Sequence, residues 1–328
     1  MYGYVMRRLL LLIPTVIIIS LIAFIVMELP PGDFLSSYIV QLQAEGATVS
    51  SEHVEALRRR YGLDQPSYVR YFRWMNRIIF HGDFGRSWNY NRPVSHLLAE
   101  RLPFTLLITT TTLIFQYIIS IPIGIYTAVK QHGIADYIFT FAGFLGLSIP
   151  NFMLALVLMF LTYTYFGTSM GGLFSETYRN APWSIYKIID LLSHLWVPVV
   201  VVGTAGTASL IRILRGVMLD ELGKDYMQTA RAKGLPERVV IIKHAVRIAI
   251  NPIISTIVWM LPRIISGGAI TAIVLNLPTI GPLLLTSLLS QDMFVAGSVV
   301  LILSILTVLG SFISDLLLAW SDPRIKYE

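Results

Sequence analysis

Few residue groupings in this chain could carry bond chemistry, and those that come near fail on spacing. Gly223-Lys224 is followed by Asp225, and no Gly-x-x-x-x-Gly-Lys-Ser/Thr string occurs, so no loop here is built to cradle nucleotide phosphates. No His-Glu-x-x-His pair exists, and the 6 histidines are scattered. Gly146-Leu147-Ser148-Ile149-Pro150 lacks the second glycine of a nucleophile elbow. With no cysteine, disulfides, thiolate metal sites and thiol nucleophiles are excluded. What remains is a set of polar and helix-breaking residues inside apolar runs. Ser148-Ile149-Pro150-Asn151 interrupts one run, and Pro262-Arg263 with Ser266-Gly267-Gly268 interrupts another. Inside a bilayer such residues are costly unless they face a cavity or a partner. The chemistry they suit is passage of a polar solute, with Pro150, Asn151, Arg263, Ser266, Gly267 and Gly268 along its route.

The elements that must position them follow from composition. Of 328 residues, 55% are hydrophobic and only 13% charged, with mean hydropathy +0.68; a soluble surface needs about a quarter of its residues charged. The chain is therefore expected to be an all-α integral membrane protein. Crossing the hydrocarbon core takes roughly 20 apolar residues per helix. Leu9 to Met27 qualifies behind Arg7 and Arg8; no small-residue cleavage site follows, so it reads as a retained first span, with Pro14 near one end. Further spans are expected over Leu102–Val129, Tyr137–Phe166, Leu191–Ile211, Ile248–Leu275 and Met293–Trp320, the second and third separated by the charged turn Lys130 to Asp136. Asn276 to Asp292 crowds Pro278, Gly281 and Pro282 together and reads as a re-entrant or external loop.

Six spans place both termini on one side, and the short loops decide which. Arg7, Arg8, Lys130, eight basic residues from Arg212 to Arg247, and Arg324 with Lys326 gather on one face, against Arg179 and Lys187 opposite. The richer face is cytoplasmic. The surplus of +6 charges thus records topology, and nucleic acid is not needed as a partner. Residues 29–103 become an external helical cap. Within it Val54 to Arg60 has helical patterning ended by Gly62, and Tyr68 to Phe80 is dense in aromatics. The remainder divides into residues 1–28, with the first span, and a core over 104–328.

One cytoplasmic loop, Gly216 to Asn251, is patterned as two amphipathic helices broken at Gly234-Leu235-Pro236. Gly suits a left-handed cap and Pro a first turn. Met218, Leu222, Tyr226 and Ala230 recur every four residues as an apolar stripe flanked by Lys224, Asp225, Gln228 and Arg231. By composition alone this is a membrane-surface loop or a docking element.

The string Asp225-Tyr226-Met227-Gln228-Thr229-Ala230-Arg231-Ala232-Lys233-Gly234-Leu235, with Pro252 beyond it, resembles the EAA loop in permease subunits of bacterial ABC importers. Thr-Ala-Arg-Ala-Lys-Gly-Leu is particularly similar to the dipeptide and oligopeptide branch. So are Arg60-Tyr61-Gly62-Leu63-Asp64-Gln65-Pro66, Gly82-Asp83-Phe84-Gly85-Arg86-Ser87, Arg92-Pro93-Val94, Glu100-Arg101-Leu102-Pro103 and Asp322-Pro323-Arg324-Ile325. The resemblance implies the type I importer permease fold of six transmembrane helices, with a small external helical insertion after helix one, in the bacterial inner membrane. It implies a second homologous permease, two ATPase subunits that hold ATP and magnesium, an extracytoplasmic substrate-binding protein and surrounding lipid as partners. This chain itself is then no enzyme and binds no cofactor. By the same resemblance Asp225, Tyr226, Thr229, Ala230, Arg231, Gly234 and Leu235 couple it to an ATPase, Tyr226 and Ala230 supplying apolar contact and Asp225 and Arg231 the register.

Two segments depart from the branch. Leu275 to Pro282 stands where peptide members carry a Trp-Pro-Gly-Leu-Gly form, and the loop before the fourth span is enlarged by Gly171 to Phe174 and Ala181 to Ser184. Both are similar to members that import plant-derived oligosaccharides, whose sugar rings Trp183, Tyr178 and Tyr186 would stack on; interfacial belts are the plainer role for such aromatics. Peptide is the default cargo and oligosaccharide the alternative. Arg263, uncharged in the branch, would meet cargo or pair with Glu28 or Asp315. A passive channel is the rival class, but it would show a repeated filter or charged ring and has no use for the EAA-like loop.

Overall fold

Where backbone polar groups find no water, they must be satisfied within the segment, and apolar runs therefore become helices. The computed structural model describes residues 2–28, 64–167, 170–257, 260 and 268–321. The α-helices of six residues or more among the described residues are α1 (Tyr2–Glu28), α2 (Ser67–His81), α3 (Val94–Val129), α4 (Ile134–Ser148), α5 (Asn151–Phe166), α6 (Ile185–Leu222), α7 (Asp225–Ala232), α8 (Arg247–Ser255), α9 (Ala269–Val274), α10 (Ile280–Leu289) and α11 (Met293–Ser321). Among the described residues the sole β element is an isolated bridge between Arg86 and Pro93.

Among the described residues four helices are long and apolar enough to cross a membrane: Met6–Glu28, Val94–Val129, Ile185–Leu222 and Met293–Leu318. The expected third span is two half-helices, α4 and α5, bent by 103° at their junction. Pro150 has no N–H to donate, Ile149 is extended (φ −86°, ψ 121°), and Asn151 begins a new helix. The expected helix two begins at Val94, not Leu102, because only its apolar part is limited by bilayer thickness. Residues 94–103, expected in the external cap, are continuous with that helix. The loop expected over Asn276–Asp292 contains α10. Pro282 falls in its first turn, where a missing N–H costs nothing, and Asn276 and Gln291 bracket it at positive φ (51° and 54°). The expected fifth span is described at its ends, by α8 and α9; Arg263, Ser266 and Gly267 lie outside the described residues. So do Val54 to Gly62 and Asp322 to Ile325.

The chain forms two compact units. The first comprises Met1–Arg8, Phe104–Gly281 and Thr307–Glu328. Its helices approach closely through small residues, as in membrane bundles. A Cβ on Gly206 would collide with Gln116 Nε2, one on Gly203 would stand 2.7 Å from Phe115, and one on Gly146 2.8 Å from Thr204. Asp136, buried at the start of α4, takes Arg215 Nε at 2.8 Å and Nη2 at 2.9 Å from α6, plus the His132 N–H at 3.0 Å. Arg8 and Asp315 pair at 3.0 Å, so the acid considered for Arg263 has a cation of its own.

The second unit comprises Leu9–Pro103 and Pro282–Leu306. Ala23, Phe24, Trp74 and Leu301 form its buried centre, with Tyr71, Met75 and Phe294 packed against them. Glu28, the other acid considered for Arg263, pairs with Arg70 at 2.7 Å.

Candidate functional site

The most exposed chemically distinctive element is the knuckle after α6. Asp225 opens α7 as a first-turn acid, favourable against the helix N-terminal dipole. Its carbonyl accepts from Thr229 Oγ1 at 3.0 Å. Gly234 ends the helix at φ +75°, where a side chain would be strained, and its N–H donates to Arg231 O at 2.9 Å. Pro236 caps the following turn, its carbonyl accepting from Val239 N at 2.8 Å and Val240 N at 3.1 Å. It sits one place before the helical turn Glu237–Val239, not within it.

A bidentate ion pair closes the knuckle. Arg231 Nη2 donates to Glu237 Oε1 at 2.9 Å and Nε to Oε2 at 3.1 Å. The pairing with Glu237 holds the Arg231 guanidinium above its ordinary pKa, and Arg231 holds the Glu237 carboxyl below its own. Six residues separate the two across a helix break, a spacing that helical periodicity does not expose. An acid directly after Pro236 is the available clue.

Beyond Glu237–Val239 the chain continues as a seven-residue π-helix, Val240–Val246, into α8. Its Val240 and Ala245 are buried with Met218, Met227 and Ala230. The expected stripe therefore faces inward: Ala230 is buried and Tyr226 is packed against this core, its hydroxyl bonded to Glu221. Burial and the Glu221 carboxylate push the Tyr226 phenol up to about 12. Glu221, buried at the end of α6, also receives Lys224 Nζ at 2.5 Å. Within the chain, Ala230 is thus buried and Tyr226 half-buried against this core. Asp225, Gln228, Thr229, Arg231, Gly234 and Leu235 are left exposed, and Leu235 is the accessible apolar side chain among them, at 38%.

The residues expected along the route divide. Pro150 is exposed and Asn151 half-buried at the α4–α5 bend. Gly268 is elsewhere in the same unit, lining a cavity of about 30 Å³ with Thr105, Thr109, Val202, Leu277 and Thr279. The volume fits a water molecule. Beside it the two departing segments meet, since Gly172 N donates to Leu275 O at 2.6 Å. Thr105 Oγ1 accepts from Ile280 N at 2.9 Å. Trp183, expected to stack on a sugar, stacks edge-on against Phe174 at 6.1 Å, while Lys187 Nζ lies 5.3 Å from its ring centre. On α3, Thr112, Gln116 and Ser120 follow at helical spacing as buried polar side chains, and Gln116 Oε1, Thr112 Oγ1 and Ser120 Oγ have no hydrogen-bond partner among the described residues. Periodicity in a uniformly apolar-looking helix concealed that seam.

Residues 120–327 match the family model described as the inner membrane component of binding-protein-dependent transport systems, and residues 1–109 match the model of the N-terminal part of such membrane components. Among curated proteins, the chain is 36% identical over 329 residues to the oligopeptide transport system permease protein AppB of Bacillus subtilis, covering all of both chains. It is 32% identical over 328 residues to the glutathione transport system permease protein GsiC of Salmonella paratyphi A, again over all of both. To the dipeptide transport system permease protein DppB of Alkalihalophilus pseudofirmus it is 30% identical over 351 residues, with both covered in full.

Proposed function

This chain belongs to the inner membrane components of binding-protein-dependent transport systems, as an ABC importer permease subunit of the peptide branch, and on that premise we propose that it carries oligopeptides inward by coupling closure of ATPase subunits to alternating access. The observation that carries the coupling reading is the knuckle. Asp225, Thr229, Arg231, Gly234 and Leu235 are exposed, while Tyr226 and Ala230 anchor α7 to its own core. An element rigid behind and open in front transmits a push without dissipating it. The left-handed Gly234 and the Arg231–Glu237 pair supply that rigidity.

In this reading the chain makes six crossings of the bacterial inner membrane with both termini cytoplasmic. It assembles with a second permease, two ATPase subunits holding ATP and magnesium, and an external binding protein. Pro150, Asn151, Arg263, Ser266, Gly267 and Gly268 line or shape the route, with Arg263 meeting the cargo; unchanged uptake and complex stability in Arg263→Ala would remove it from that role. The peptide cargo is supported by the relatives' names.

The test is reconstitution of the complex in proteoliposomes with the binding protein encoded beside this chain. Di- to pentapeptides should bind that protein, stimulate ATP hydrolysis and accumulate inside. Binding of plant oligosaccharides alone would overturn the cargo, and hydrolysis indifferent to loaded binding protein would overturn the coupling.

A further inference from the structure

Helix α2 presents an exposed apolar edge that the importer reading does not use. Tyr68, Phe72 and Ile79 are 67%, 67% and 65% exposed. At about 100° per residue the three fall within roughly 40° of one another around the helix. Arg73 and Arg77 occupy the arc about 100° or more beyond Phe72, and Phe80, 75% exposed, stands at roughly 80°, between the apolar edge and that arc. A helix of this kind has a side for oil and a side for charge.

Two bonds to α1 orient that division against the membrane. Tyr71, beside the apolar edge, donates its hydroxyl to Ser20 Oγ at 2.8 Å, Ser20 in turn donating to Ile17 O. Arg70, on the charged side, pairs with Glu28 at 2.7 Å. Ser20 lies within the apolar run of α1, whereas Glu28 is the first charge after it. They are eight residues, or roughly 12 Å, apart along α1. The Tyr71 side of α2 is therefore the deeper one, and the Arg70 side the shallower. Phe24 fastens the arrangement, with its ring centre 5.5 Å from that of Tyr71 and 6.0 Å from that of Trp74.

We propose that α2 lies in the bilayer interface at the Glu28 end of α1, with Tyr68, Phe72 and Ile79 in the acyl boundary and Arg73 and Arg77 among the phosphate headgroups. The occupant is lipid because α2 packs along α1 at the level where the apolar run of that spanning helix ends at Glu28. Ile18, Leu21, Ile22 and Ile25 of α1 are exposed along a helix that must span. The arginines supply the complementary charge for anionic headgroups. Helix α2 is thus a float on the membrane rather than part of an aqueous cap.

The chain has no cysteine, so single cysteines placed in it carry a nitroxide without background from this subunit. In the assembled transporter, in nanodiscs of phosphatidylethanolamine and phosphatidylglycerol, labels at Phe72→Cys and Ile79→Cys should collide several-fold more with oxygen than with a water-soluble nickel chelate. They should match a label at Ile25→Cys, and Arg77→Cys should show the reverse preference. Nickel access at 72 and 79 equal to that at 77 overturns the proposal. Exclusion of both reagents overturns it too, assigning the edge to a protein partner. A carbene precursor dissolved in the lipid gives an independent reading on the unsubstituted complex. It should label Tyr68, Phe72 and Ile79, and failure to label them excludes lipid from that face.

Discussion

Ser87 and Asp292 stand 205 residues apart in sequence and share a 2.5 Å hydrogen bond, the hydroxyl donating to Oδ2 of a fully buried carboxyl. The same oxygen accepts the backbone N–H of Trp88 at 3.0 Å and of Asn89 at 3.2 Å. The other oxygen takes the Val295 N–H, capping α11. Asp292 thus ties the Gly82-to-Asn89 turn to the start of the last helix, within one unit.

Removing that clamp leaves buried donors unsatisfied. Asp292→Ala loses a cap and several hydrogen bonds to a charged group, so the folded protein should lose about 3 kcal/mol. Ser87→Ala should lose about half as much. Thermal unfolding of the purified complex measures both, and a double mutant no worse than Asp292→Ala identifies the shared bond.

Burial raises the Asp292 carboxyl above its ordinary value of 3.8. The folded state then holds this proton more tightly than the unfolded one. Its contribution is fully present below that ordinary value and declines as pH rises through the folded one. Melting temperatures of wild type and Asp292→Asn, compared from about pH 4 to about pH 7, should therefore show the difference in favour of wild type shrinking with pH. A difference that grows with pH contradicts the desolvated carboxyl.

Gly234 in the knuckle is held at φ +75° with open space around it. Gly234→Ala should cost about 1 kcal/mol of local backbone strain and, on the coupling reading, reduce ATP-driven uptake while membrane insertion persists. Glu237→Arg should damage uptake likewise, and Arg231→Glu on top of it should restore part of the rate. Because Arg231 lowers the Glu237 carboxyl below its ordinary 4.5, the pair's support should persist above that value and fade as pH falls below it.

Close helix packing makes its own prediction. A methyl on Gly206 collides with Gln116 Nε2, and Gln116 is buried. Gly206→Ala should destabilise by about 1–3 kcal/mol. In a Gln116→Ala background its cost should be smaller, since the colliding group is gone. An additive double mutant would remove this contact from the argument.

Asp136, buried, is the acid that Arg215 of α6 pairs with across to α4. Asp136→Asn strands the guanidinium and should cost about 3 kcal/mol. The readout is heat stability in detergent, and a loss no larger than that of an exposed carboxyl-to-amide change would mean that the pair is solvated.

The sequence by itself determined what a one-dimensional pattern can encode. Long apolar runs at Leu9–Met27 and Met293–Trp320 dictate helices because unpaired backbone groups are intolerable in hydrocarbon. The string from Asp225 to Leu235 announces an exposed helix ended by a left-handed glycine, since φ > 0 needs Gly and Pro236 needs a fresh start. Tertiary structure decided everything that depends on which side a residue faces and what it meets far along the chain. The Tyr226–Ala230 stripe reads equally well as a docking face or as core, and only the π-helical return through Val240 and Ala245 turns it inward. Pro150 signals a break, but the 103° bend is accompanied by the packing of α4 and α5 each on α6. Asp292 looks like one more loop acid until Ser87 arrives from across the sequence. The physical reason is that helix formation is satisfied by neighbours four residues apart, whereas burial and ion pairing are settled by residues that only the folded chain brings together.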